Sequence, residues 1–276
     1  MTKHLFRCFG GLRLSVALLS VLLIHISFVL SGSKDFWLTQ DYLLITFTVF
    51  IITLARVTWN DFYERNHNPE KSKYIMNNND RIFFSMILSL LWIAAVLLSY
   101  SRFSFSHHQS ILLLVCIVIG IFLPSVRRFY FFSTILTAIA NSLPILFAFN
   151  IDDIGAGKCI AFFVFVFCVV LGREILKDME KRHKKEQITE KGLSESEIIR
   201  LVASFILVGL FACLFTLPKN NEYFFTITFS LGCFICFFVL VSFVYTERYR
   251  IIQKNFLDVG VCLILLSLAI VPLFTK

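Results

Sequence analysis

The chain has 276 residues, of which 58% are hydrophobic and 16% are charged. Soluble domains rarely exceed about 50% apolar usage, so this composition excludes an ordinary soluble globular protein. The apolar residues fall in long continuous runs, which selects membrane-spanning helices over the short alternating strands of a β-barrel. The formal net charge of +8 sits in the short segments between those runs, so it calls for no nucleic-acid partner.

Nine spans are predicted, at residues 14–30, 42–57, 82–100, 111–123, 129–149, 159–176, 198–217, 223–245 and 256–274. Several are shorter than the roughly 20 residues of a crossing, so flanking residues are expected to extend them. The first span follows Lys3, Arg7 and Arg13. A cleaved signal peptide is the competing reading there. The apolar stretch outlasts the usual signal core of about 7–15 residues, which favours a retained helix.

With the N-terminus placed inside, 21 of the 26 lysines and arginines fall on inner segments. This follows the positive-inside rule, and a missed helix would scramble it. The expected setting is an integral multi-pass protein of a bacterial inner membrane, with its N-terminus cytoplasmic and the lipid bilayer as its main partner.

Seven of the eight cysteines lie within the apolar runs, where cysteine acts as a small hydrophobe. Cys233 and Cys236 form a lone CxxC with no second pair or histidine nearby, too little for a metal site.

Two inner segments are acidic as well as basic, at residues 56–81 after the second span and 173–200 after the sixth. Four crossings separate them, so both must emerge on one membrane face. The spacing suggests a repeat of helices 1–4 and 5–8 within a single domain 1–276, with helix 9 appended.

In the first segment, Asp61, Glu64 and Asn68 fall at i, i+3 and i+7 if helix 2 continues past Asn60, and Asn60 and Glu64 are one turn apart. Such spacings share a face. The result is a cluster of hard oxygen ligands suited to Mg²⁺. A solvated helix end paired with Arg65 and Lys71 fits the same spacing, and both readings stand.

In the second segment, Glu174 and Asp178 are one turn apart, as are Arg173 and Lys177 on a neighbouring face. Carboxylates there could hold a metal while the cations hold phosphate oxygens. For residues 181–185 a basic helix drawn to anionic lipid is the better reading. Arg127 and Arg128 fit interfacial anchoring, and Asn141 and Pro144 lie deep in helix 5.

Asn60-Asp61-Phe62-Tyr63-Glu64 resembles the first aspartate-rich motif, NDxxDxxxD, of the UbiA superfamily of intramembrane prenyltransferases. Arg173-Glu174-Ile175-Leu176-Lys177-Asp178-Met179-Glu180 resembles the second motif in its R-E-I-x-K-D-I-E form. The segment from Pro124 through Arg127 and Arg128 to Asn141 is similar to the family's linker and fifth helix.

The resemblance implies an all-α bundle of about nine transmembrane helices with a central cavity open to the cytoplasm. It implies transfer of a prenyl group from a prenyl diphosphate to a hydrophobic acceptor with Mg²⁺ as cofactor. The acceptor would be an aromatic quinone precursor or a lipid or sugar-phosphate hydroxyl.

By the same resemblance Asp61, Glu64 and Asp178 are the catalytic candidates, and Asn60 joins them as a metal ligand. Arg65, Lys71, Arg173 and Lys177 are the candidates for neutralising diphosphate. The sequence departs from the family pattern at Glu64 and Asn68, where aspartate is usual, and at Lys181 and Lys185, where the second motif carries further aspartates. These departures define an alternative, a weakened relative that binds prenyl lipid without turnover. A transporter fits less well, because the spans hold few ionisable residues.

Overall fold

The structure, a computed structural model, describes residues 14–31, 40–67, 78–101, 107–126, 130–148, 156–183, 195–216, 223–246 and 251–274. Among them are nine α-helices and no strand. They are α1 (Leu14–Ser31), α2 (Gln40–His67), α3 (Asn78–Ser101), α4 (His107–Val126), α5 (Tyr130–Ser142), α6 (Ala156–His183), α7 (Glu195–Leu214), α8 (Tyr223–Thr246) and α9 (Ile251–Phe274).

Each helix matches one predicted apolar run, because a continuous apolar stretch can satisfy its backbone in lipid only by coiling. Five contain segments long and apolar enough to cross a membrane: Leu14–Ser31, Tyr42–Asn60, His108–Val126, Ala156–Lys177 and Ser196–Leu214. Shorter apolar segments occupy Met86–Leu98, Phe132–Phe147, Ile227–Phe243 and Asn255–Ile270. Large side chains such as Leu97, Phe211 and Phe234 are mostly exposed, as expected where lipid rather than water covers the helices. The chain is a membrane protein.

Two elements differ from the sequence expectation. The fifth helix ends at Ser142 and continues as a 3₁₀ segment, Leu143–Ala148. Pro144 explains the break: it has no backbone N–H and disfavours the α conformation at Leu143. The Ser142 hydroxyl bonds back to the carbonyls of Ala138 and Ile139. The second difference is at Arg56, read as the start of a loop. It lies inside α2 and is only 5% exposed, because the helix runs eleven residues further, to His67.

The chain divides into two compact units, Met1–Ile24 with Asp35–Leu136 and His25–Lys34 with Thr137–Lys276. In the first, α2 packs on α3 and α4. In the second, α6 packs on α7, α7 on α8, and α8 on α9, with α6 also against the 3₁₀ segment.

Polar side chains tie helix ends within each unit. In the first, the Trp59 indole near the end of α2 donates to the Ile121 carbonyl near the end of α4, at 3.3 Å. In the second, Ser27 near the end of α1 donates to the Ile145 carbonyl of the 3₁₀ segment and lies 3.7 Å from Cys159 at the start of α6. Each contact joins ends that alternating crossings would put on one face.

The α8–α9 crossing is the closest of these packings. A Cβ on Gly232 would lie 2.8 Å from the Gly260 carbonyl oxygen, and one on Gly260 would lie 2.7 Å from the Cys236 sulfur. Two glycines let the backbones meet, as small residues commonly do between helices in lipid. Cys236 is therefore a packing residue, and the seven described cysteines are all free thiols.

Candidate functional site

The first polar end is the last three turns of α2. The helix does continue past Asn60, so Asp61 and Glu64 lie on its helical backbone. The structure describes the side chains here only as far as Tyr63. Those of Asp61, Glu64 and Arg65 lie outside the described side chains, and Lys71 and Asn68 lie outside the described residues.

What is described is a pair of buried polar atoms within one turn of the helix. Thr58 is fully buried, and among the described residues neither its hydroxyl nor the buried Asn60 Oδ1 has a hydrogen-bond partner. Unsatisfied buried oxygens are uncommon and costly. Trp59 stacks on Phe62 at a ring separation of 6.1 Å, which fixes the turn that carries Asn60.

The turn is held against α4 by Arg56. Its stem passes so close to Gly120 that a Cβ there would lie 3.3 Å from Arg56 Cγ and 2.9 Å from the Trp92 ring. Only glycine admits both.

The second polar end is the C-terminal part of α6, and here the described cations are paired. Lys177 Nζ lies 3.2 Å from a Glu174 carboxylate oxygen, one turn back. Arg173 reaches across to α9, with Nε 2.9 Å from Asp258 Oδ1 and Nη2 3.5 Å from Asp258 Oδ2. The pair brings the end of α6 and the start of α9 to one face of this unit. Arg173 is about half exposed and Asp258 about one-third. Pairs this exposed contribute on the order of 0–1 kcal/mol, so this one does little to hold the fold. The Asp178 side chain lies outside the described side chains, as does Lys181, and Lys185 lies outside the described residues.

Asp258 is the residue that sequence reasoning missed. Helix 9 was read as an apolar appendage, yet it carries an aspartate within its apolar segment Asn255–Ile270. An ionisable residue in such a segment is itself a signal, because charges within apolar segments are rare and tend to mark functional sites.

Among the described residues, no group of three His, Cys, Asp or Glu could hold a metal ion. The side chains of Asp61, Glu64 and Asp178 lie outside them. The orphaned Asn60 Oδ1 does fit a hard cation, since it is a buried oxygen with no internal donor.

A groove of about 570 Å³ opens between α6 and α7, lined by Lys158, Val164, Val208, Phe211 and Phe215 among others. It lies at the start of α6, far along the helix from Arg173.

No family model matches the sequence, and no curated protein sequence does. A solved structure does match in fold. It is described as giving structural and mechanistic insights into the biosynthesis of digeranylgeranylglyceryl phosphate synthase in membranes. The likeness has a TM-score of 0.71 at 13% sequence identity, and covers 97% of this chain and 95% of that one. At this identity the likeness speaks for the fold, over almost the whole of both chains. The resemblance read from two short motifs is borne out at the level of the fold: this chain is folded like that solved structure over almost its whole length.

Proposed function

We propose that the protein transfers a prenyl group from a prenyl diphosphate to a membrane-associated acceptor, with Mg²⁺ assistance, in a cavity open to the cytoplasmic side. One observation carries this reading. In a chain with the fold of a prenyltransferase, the two motif-like stretches both fall near the C-terminal ends of 28-residue helices, α2 and α6.

Asn60, Asp61, Glu64 and Asp178 are the residues that would hold Mg²⁺. When bound, the ion neutralises charge that builds on the departing diphosphate. The chain's own cations act toward the same end. Arg173 and Lys177, with Arg65 and Lys71, bind the diphosphate oxygens and stabilise the leaving group. The apolar helices keep water from the allylic cation, which aromatic faces stabilise.

Among the acceptors, a lipid hydroxyl is favoured. The R-E-I-x-K-D form of the second motif leans that way, and the similar structure's own name is that of a glyceryl phosphate synthase.

The test is turnover of labelled prenyl diphosphate with candidate acceptors, with and without Mg²⁺. Product that depends on Mg²⁺ and disappears in Asp61→Ala and Asp178→Ala supports the reading. Unchanged turnover in those variants rejects the assigned roles.

The lysines at 181 and 185 favour a second reading, a relative that binds prenyl lipid without turnover. It predicts diphosphate binding with no product, and product once both lysines are changed to aspartate. Ready turnover by the native chain rejects it.

A further inference from the structure

We propose that Asp258 is a positioning residue, a carboxylate on α9 that fixes the Arg173 guanidinium so that its free edge faces a diphosphate. The inference rests on the function proposed above and adds a residue from outside both motif-like stretches.

The geometry of the pair is the basis. A guanidinium has five N–H donors in a rigid plane, enough for two anions on two edges. Asp258 takes the edge formed by Nε and Nη2, at 2.9 and 3.5 Å. Among the described residues nothing takes the edge formed by Nη1 and the second Nη2 hydrogen, which leaves it for another anion. Side-on pairing therefore orients Arg173 without using up its capacity for a bidentate phosphate contact.

The setting of Asp258 supports a role beyond charge balance. It stands in an apolar segment between Leu257, which is fully buried, and Val259, which is half exposed. Charged residues are rare in such segments, and among the described residues its partner is Arg173, on a helix 85 positions away in sequence. The pair is also too exposed to act chiefly as a structural tie. A long, half-exposed arginine samples many rotamers. Restricting them before the ligand arrives lowers the ordering cost of binding.

Competition is the opposite possibility, in which Asp258 holds Arg173 away from diphosphate and its removal tightens binding. Side-on pairing argues against that, since the free edge needs no displacement of the carboxylate.

The experiment uses the full chain in nanodiscs with Mg²⁺, titrated with inorganic pyrophosphate by calorimetry. Five proteins are compared: the native chain, Asp258→Asn, Asp258→Glu, Arg173→Ala and the double variant Arg173→Ala with Asp258→Asn. Asp258→Asn is expected to weaken binding by roughly fivefold to tenfold. Asp258→Glu keeps a carboxylate on a longer stem and should recover most of that loss. In the Arg173→Ala background the Asp258→Asn change should have no further effect, because the coupling partner is gone. In turnover assays the loss should appear in KM for the prenyl diphosphate far more than in kcat.

Equal or tighter binding by Asp258→Asn overturns the inference, and so does an undiminished effect when Arg173 is absent. A native chain that binds no pyrophosphate rejects the proposed function itself and this inference with it.

Discussion

The ends of α2 and α6 resemble each other in length and in the residues they carry, but their polar groups are satisfied in different ways. Both helices run 28 residues and place their charged residues near the C-terminus. At the end of α2 the described polar atoms are buried and open: Thr58 and Asn60 present oxygens with no donor. On α6 the described charges are exposed and closed: Arg173 and Lys177 each hold a carboxylate. An unsatisfied buried oxygen costs stability until something fills it. An exposed ion pair costs almost nothing either way. On the proposed function, the first end would gain from a cation, and the second would share or exchange one anion for another.

The largest test of this contrast removes a carboxylate from each end. Asp61→Ala and Asp178→Ala are each expected to lower kcat/KM by at least about 100-fold, measured with labelled prenyl diphosphate. If only one does, the two ends are not joint parts of one site. A smaller effect isolates the α2 end. Asn60→Ala should raise the Mg²⁺ concentration for half-maximal turnover by about tenfold or more. Its thermal midpoint should stay level or rise, because the Oδ1 atom it removes makes no hydrogen bond. A clear fall in midpoint without a change in Mg²⁺ dependence would make Asn60 a structural residue only.

The two ends also differ in how much of them the sequence discloses. The helical continuation of α2 past Asn60 was left open by the sequence, which says only that Asp61, Glu64 and Asn68 would share a face if the chain stayed helical. The nine apolar runs were legible because lipid leaves the backbone no other solution. The break at Ser142 was implicit in Pro144, though its 3₁₀ form was not. Arg56 was misread as loop because a charge at the end of an apolar run usually marks the membrane surface. Here its stem lies against the Gly120 notch instead. Asp258 escaped because its partner lies 85 positions away, and no local spacing rule pairs residues at that distance. For the same reason the orphaned Asn60 oxygen could not be foreseen, since satisfaction depends on neighbours brought in by the fold.

The smallest predicted effect separates the two carboxylates on the α6 side from each other. Glu174 faces Lys177 from one turn away at 3.2 Å, and a pair at that spacing contributes about 0.2–0.5 kcal/mol. An ammonium is a compact charge whose donors rotate freely, so it has no planar orientation for a neighbour to preset. Glu174 can then only compete with an arriving anion. Glu174→Gln is therefore expected to tighten pyrophosphate binding by about twofold, opposite in sign to Asp258→Asn, with little change in thermal midpoint. Calorimetry on the two variants side by side checks the sign. If Glu174→Gln weakens binding instead, Glu174 holds the ligand or its metal directly, and Lys177 is not the group that it restrains.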